Sequence, residues 1–173
     1  MTPFVRRAAA DQQGAAAVEF ALLFPVLFML QIGAAEVLEA YQAQRAVAHI
    51  ASAMADITAQ SRTISAAELD DVMAASTALI HPFPTAKLQK RVSSVSNVGG
   101  TVGAPDWTVK KDFTDTKAVS VPAGYLATGE SAIVTDVIYD YKPTFGLFMP
   151  ATIRFTRHAY IRPRLSTKVD KVG

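Results

Sequence analysis

The sequence predicts an α+β protein with a long N-terminal helix, a second short helix and an antiparallel sheet of about four or five strands. Residues 14–35 are apolar almost throughout. At about 1.5 Å per helical residue, this run is long enough to cross the roughly 30 Å core of a bilayer. Helical periodicity continues through residues 36–60. After Pro84, β-branched and aromatic residues rise between turn residues, which is typical of strands.

The distribution of basic residues predicts the orientation of the membrane helix. Residues 1–13 form a short, polar leader that contains Arg6 and Arg7, and no basic residue follows the apolar run until Arg45. Positive charge stays on the cytoplasmic side of a membrane. We therefore expect a cytoplasmic N-terminus and an exported remainder, with a transmembrane helix at 15–35.

Two features of the long helix follow from its residues. Pro25 removes one backbone hydrogen bond, which predicts a kink that membranes tolerate. Beyond the membrane, residues 36–60 predict an amphipathic extension. Its apolar positions, spaced by three and four, are Ala40, Ala43, Val47, Ile50, Met54 and Ile57. This narrow stripe packs either on the chain's own domain or on a neighbouring subunit.

Residues 61–173 predict the α+β domain. Ser65 and Glu68 form a capping box, so the second helix is expected from residue 66 to 79 or 80. Strands are expected at 87–98, 106–113, 131–141 and, as the last, 151–162, with a weaker candidate at 119–126. The loop at 142–150 carries Phe145, Leu147, Phe148 and Met149. This apolar cluster either tucks under the sheet, which we favour, or contacts a partner.

Composition and motifs argue against several function classes. The chain has no cysteine, which excludes disulfides and thiolate sites, and its net charge of +2 is too small to indicate nucleic acid. No two of the three histidines lie near each other in sequence, and no phosphate-binding loop or hydrolase motif occurs. We therefore expect no catalytic residues, no metal site and no cofactor. The acidic stretch at 106–140 and the basic stretch at 154–171 are either solvated faces or docking surfaces.

Glu19 is the one charge inside the apolar run. A carboxylate costs about 2.5–3.5 kcal/mol at the centre of a membrane helix, and such groups are usually functional. One alternative is a plain anchor with an incidental glutamate. Another is a secretory signal peptide, because Gly33 and Ala35 are small residues suited to cleavage before Glu36. The run is long for a signal peptide, however, and it holds a charge.

The pattern around Gly14 resembles the N-terminus of TadE-like proteins, which are pseudopilins or minor pilins of the tight-adherence (Flp/Tad) pilus system. The matching residues are Arg6, Arg7, Gly14, Ala15, Ala16, Ala17, Val18, Glu19, Phe20, Ala21, Leu22, Leu23 and Pro25. The resemblance implies a leader at 1–14 that a prepilin peptidase removes between Gly14 and Ala15. It also implies that Glu19, at mature position five, and Phe20 contact neighbouring subunits during assembly.

The resemblance implies a non-enzymatic structural or assembly protein of the inner membrane with a periplasmic domain at 61–173. Its expected partners are other pilins or pseudopilins, the Tad secretion platform, the prepilin peptidase and membrane lipid. The alternative is a periplasmic enzyme or ligand-binding domain held by an uncleaved signal anchor.

Overall fold

The computed structural model describes residues 12–173, with side chains from residue 14 onward; residues 1–11 of the predicted leader, including Arg6 and Arg7, lie outside this range. The first element is a single helix, α1, at Gln12–Ala59. Its 48 residues span about 70 Å at 1.5 Å per residue. Among the described residues, α1 packs against the rest of the chain only from Ile32 onward, and the α+β architecture predicted from the sequence is confirmed.

The buried stripe of α1 agrees with the predicted one except at its end. Ala40, Ala43, Val47, Ile50 and Met54 are buried, and they pack on the chain's own domain. Ile57 is exposed, and the neighbouring Thr58 and Ala59 are buried in its place. The predicted stripe repeats every 3.5 residues, whereas a straight helix has 3.6 residues per turn, so the buried face drifts by about 20° per heptad.

The second helix, α2, occupies Ala66–Thr77, and a 3-10 turn extends it over Ala78–Ile80. The predicted capping box is confirmed. The backbone N–H of Glu68 donates to the Ser65 hydroxyl at 3.2 Å, and the N–H of Ser65 donates to the Glu68 carboxylate at 2.7 Å. Each bond satisfies a backbone donor that the helix start leaves without an internal partner.

The domain contains a five-stranded antiparallel sheet, close to the predicted one. Its strands are β2 (Leu88–Val98), β3 (Thr101–Val102), β4 (Trp107–Lys111), β5 (Ser131–Tyr141) and β6 (Ile153–Ile161). Strand β5 is central, between β2 and β6, while β3 and β4 pair along the other edge of β2. One face of the sheet packs on α1 and α2.

Two expectations for the domain were wrong. Residues 119–126 form no strand, since Pro122 cannot donate a ladder hydrogen bond and Gly124 adopts a φ of +78°. The strand at 151–162 is not the last, because β1 (Thr63–Ser65) pairs in parallel with β7 (Asp170–Val172). Strands of three residues are too short to show an alternating pattern, so the sequence did not reveal this pair.

Helix α1 runs antiparallel to β5, which fixes the two ends of the domain. Where α1 begins to pack on the domain, Glu39 accepts a hydrogen bond from Tyr141, and twelve residues later the carbonyl of Ala51 accepts one from Thr135. Twelve helical residues and six strand residues both span about 18–20 Å, so the two elements stay in step. The end of the domain at Tyr141 therefore lies next to the apolar half of α1, and the β2–β3 turn lies at the far end.

Candidate functional site

Residues 14–31 of α1 present their side chains away from the other residues that the structure describes. The most apolar 18-residue window of the helix has a mean hydropathy of 2.1, and none of it is buried within the protein. Gly14, Ala15, Glu19, Phe20 and Pro25 are all exposed on this part of the helix. The helix is thus long and apolar enough to cross a membrane, and the predicted site residues lie where only an external environment contacts them.

Glu19 has no ion-pair partner among the residues that the structure describes. It stands four residues after Ala15, so a terminal amine at Ala15 would lie on the same side of the helix. The position is suited to a negative charge that pairs with an N-terminal amine, either in the same chain or in a neighbour.

Phe20 belongs to a phenylalanine ladder on α1 formed by Phe20, Phe24 and Phe28. The ring centroids of successive members lie 5.8 Å apart, and all three side chains are exposed. The helix is continuous through Pro25, and the kink expected there stays a prediction. The ladder gives α1 an aromatic face without a partner in the described chain.

A pair of glutamates on α1 holds the loop at 142–150, which we call the junction loop. Glu36 is only 1% exposed, and its carboxylate accepts the backbone N–H groups of Leu147 at 3.1 Å and Phe148 at 3.2 Å. One turn later, Glu39 accepts a hydrogen bond from the hydroxyl of Thr144 at 2.7 Å. Both glutamates lie at the end of the apolar run, so the loop is anchored where α1 would leave a membrane.

Tyr141 strengthens this junction. Its hydroxyl donates to Glu39 at 3.3 Å. Burial, followed by the negative charge of Glu39, raises the pKa of Tyr141 to about 12. The phenol therefore remains protonated, and able to donate, at any physiological pH.

We expected the junction loop to tuck under the sheet, and this expectation was wrong. Phe145, Leu147 and Phe148 are 58%, 57% and 59% exposed, and of the apolar cluster only Met149 packs against the core. The physical reason is the capture of the loop backbone by Glu36, which leaves these side chains pointing outward. The Phe148 ring lies against α1, 3.4 Å from where a Cβ on Gly33 would stand.

The sequence also failed to reveal a polar row across the outer face of the sheet. Arg91, Asp136 and His158 lie opposite one another on β2, β5 and β6. A guanidinium nitrogen of Arg91 and Nδ1 of His158 lie 2.6 Å and 2.5 Å from the two Asp136 oxygens. Arg91 also donates to the carbonyl of Lys117 at 2.7 Å. These residues are 22 to 67 positions apart in sequence, so only the strand register brings them together.

This polar row borders a small cavity of about 130 Å³ that Phe113 and Ser120 also line. Within residues 14–173, no group of three or more acidic or histidine side chains is arranged to hold a metal ion. Arg91 and Asp136 are both nearly fully buried, and the hydrogen bond from Arg91 to the Lys117 carbonyl joins the segment at 113–120 to the sheet.

Lys90 is a second buried charge that the sequence did not reveal. Its side chain lies under the end of α2, where the ammonium donates to the carbonyl of Met73 and the hydroxyl of Thr77. Burial, and then the positive charge of Lys111, lowers the pKa of Lys90 from 10.5 to about 8. The folded state therefore holds the Lys90 proton more weakly than the unfolded chain does.

This difference predicts that the fold becomes more stable above pH 8. Between about pH 8 and 10.5 the unfolded state binds the Lys90 proton and the folded state does not, so the free energy of unfolding should rise by up to roughly 1.4 kcal/mol per pH unit. Urea unfolding of the detergent-solubilised protein between pH 7 and 9.5, monitored by Trp107 fluorescence, measures this change in the free energy of unfolding. The rise should be lost in Lys90→Met and kept in Lys110→Met, which removes an exposed lysine. A rise of equal size in Lys90→Met would contradict the assignment.

Comparison with known proteins bears on the N-terminal part of the chain. Residues 14–56 match the family model described as TadE-like protein. No curated protein and no solved structure matches the chain. The family match covers α1 from Gly14 through most of its buried stripe, and it leaves out the sheet. It confirms the resemblance indicated by the sequence pattern around Gly14.

Proposed function

We propose that this chain, which carries a TadE-like segment at residues 14–56, is a minor pilin or pseudopilin of the Flp/Tad pilus system. The main support for the proposal is the residue at which the family match begins. It starts at Gly14, the residue after which the leader would be cut, and it includes Glu19 and the phenylalanine ladder. The exposure of this half of α1 supports a role in contacts outside the chain.

In this proposal α1 holds the protein in the inner membrane, and the sheet domain lies in the periplasm. The stripe beyond Glu36 is occupied by the chain's own domain, so it is not free for a neighbouring subunit. The contacts with other pilins or pseudopilins therefore fall to the exposed half of α1. The sheet domain is left to meet the secretion platform. Neither role requires a catalytic group.

Processing by a prepilin peptidase follows from the same proposal. Cleavage after Gly14 would make Ala15 the mature N-terminus and place its new amine one helical turn from Glu19. Gly14 lies on an exposed stretch of helix, and outside its own helical turn no heavy atom of the described residues stands within 4 Å of where its Cβ would be. The site is thus open to an enzyme without rearrangement of the domain.

Sequencing the N-terminus of the mature protein tests the proposal. A chain that begins at Ala15 supports the pilin-like function. A chain that begins at Glu36 identifies a secreted protein cut by signal peptidase. An intact leader identifies the plain membrane anchor, and with it the alternative of an anchored enzyme or ligand-binding domain.

A pair of glycine variants sharpens this test. We expect Gly14→Leu to retain its leader, because a bulky side chain blocks the peptidase, while Gly33→Leu is still cut after residue 14. Signal-peptidase cleavage before Glu36 would give the reverse pattern, since that enzyme requires the small residue at position 33. The intact mass of each purified variant reads the outcome, and loss of the leader from Gly14→Leu would overturn the assigned site.

A further inference from the structure

We propose that the junction loop is a second membrane contact, with Phe145, Leu147 and Phe148 inserted into the interfacial layer of the bilayer that α1 crosses. The inference rests on the proposed function only in that α1 spans the membrane. In this proposal the loop binds lipid acyl chains near the headgroups. The domain is then attached to the membrane at two points, the helix and the loop.

The depth of the loop follows from the length of the helix. Eighteen residues separate Ala15 from Gly33, which is about 27 Å of helix and close to the thickness of the hydrocarbon core. Gly33 therefore lies at the boundary between acyl chains and headgroups. The Phe148 ring packs against α1 at Gly33, so it lies at the same boundary.

The exposed apolar surface is continuous between helix and loop. Phe148 and one side of α1 line a groove of about 960 Å³ whose walls are almost entirely apolar. The helical residues of this groove include Val26, Leu30, Gly33 and Val37. Because part of the groove is on the membrane-spanning segment itself, lipid fills it there, and the same lipid reaches the Phe148 ring.

The loop is held in a shape that presents these side chains. The buried carboxylate of Glu36 fixes the backbone at Leu147 and Phe148, and Glu39 accepts a hydrogen bond from the side-chain hydroxyl of Thr144. Three large apolar side chains within four residues, each more than half exposed, are unfavourable in water. Phenylalanine and leucine side chains insert at the boundary between headgroups and acyl chains in proteins that lie on a membrane, and the exposed Lys142 is suited to lipid phosphates there.

A two-point attachment has a mechanical consequence. A domain held by one helix is free to rotate about the helix axis and to tilt with it. Insertion of the loop on one side of α1 would set the tilt of the helix and the side toward which it leans, while the protein still turns freely about the membrane normal. The same side of the domain would then face the membrane in every copy.

Site-directed fluorescence on the full chain tests this proposal, since the chain has no cysteine and single cysteines can be labelled without background. We would attach an environment-sensitive fluorophore at Phe148→Cys in liposomes with lipids that carry a quencher shallow or deep in the acyl chain. We expect a blue-shifted emission and loss of most of the fluorescence with the shallow quencher. The matched control is Val98→Cys, 77% exposed at the opposite end of the sheet, about 30 Å of strand away, which should show neither.

A third label separates failure of this proposal from failure of the proposed function. Leu22→Cys, at a position 72% exposed in the middle of the apolar run, should be quenched by the deep quencher. If Leu22 is quenched and Phe148 is not, α1 spans the membrane and the loop proposal is overturned. If neither is quenched, the membrane anchor and the loop proposal both fail. Shielding of Phe148 that grows with protein-to-lipid ratio would assign the loop to a second subunit and also overturn the proposal.

Discussion

We expect the Glu19→Ala protein to insert into the membrane as well as the wild type and to fail in pilus assembly. Removal of the carboxylate relieves part of the about 2.5–3.5 kcal/mol that a charge costs at the centre of a membrane helix, so membrane residence should not fall. Assembly should fail because the mature amine of a neighbouring Ala15 loses its counter-charge, and an unpaired charge in lipid is strongly unfavourable. Membrane fractionation together with pilus counts, in cells whose own copy of the gene is deleted, measures both properties.

Two substitutions at the same position separate charge from shape. Glu19→Gln preserves the volume without the charge and should behave like Glu19→Ala. Glu19→Asp keeps the charge one methylene shorter and should retain part of the assembly. Normal pilus numbers with Glu19→Gln would refute the proposed pairing, since the amide cannot neutralise an ammonium.

The largest effect on stability is expected from Asp136→Asn. This change leaves the buried Arg91 guanidinium without its counter-ion, and breaking a buried pair in this way costs about 3–5 kcal/mol. The carbonyl of Lys117 and the face of the Phe113 ring, 4.6 Å from the guanidinium carbon, still contact Arg91. We therefore expect a loss nearer the lower figure, measured by urea unfolding of the detergent-solubilised protein.

The same strand offers a matched control. Asp140 also forms a carboxylate–arginine pair, with Arg154 at 2.7 Å, but that arginine side chain is 62% exposed. Asp140→Asn should therefore cost less than about 1 kcal/mol. Equal losses of unfolding free energy in the two variants would show that the burial of Arg91 does not determine how much stability is lost. The double variant Arg91→Met with Asp136→Leu should recover much of the stability, because it removes both charges together.

The parts of the fold that the sequence predicted are those with local and repeated signals. The apolar run, the Ser65–Glu68 capping box and the strand over Ser131–Tyr141 each depend on neighbours within a few residues. The parts that it did not predict depend on tertiary register. The pairing of β1 with β7 joins segments about a hundred residues apart, and the row from Arg91 to His158 exists only because three strands align.

The candidate site also has a part that local sequence signals predicted and a part that depends on the tertiary fold. The pattern from Gly14 to Pro25 was readable because its residues are consecutive, and the family match now covers it. Glu36 was interpreted only as the residue after a possible cleavage site. Its burial and its two hydrogen bonds to the junction loop required the fold, because those partners are 111 and 112 residues away. The outward direction of the apolar loop was misjudged for the same reason.

The parallel pair of β1 and β7 has a practical consequence for labelling. A tag on the leader would be lost if the leader is cleaved. A tag after residue 173 would directly follow β7, which pairs with β1 just after the end of α1. The turn at Gly99 and Gly100 is free of both problems, because it is exposed and lies at the far end of the sheet. An epitope inserted there would report on the location of the protein without straining either end of its fold.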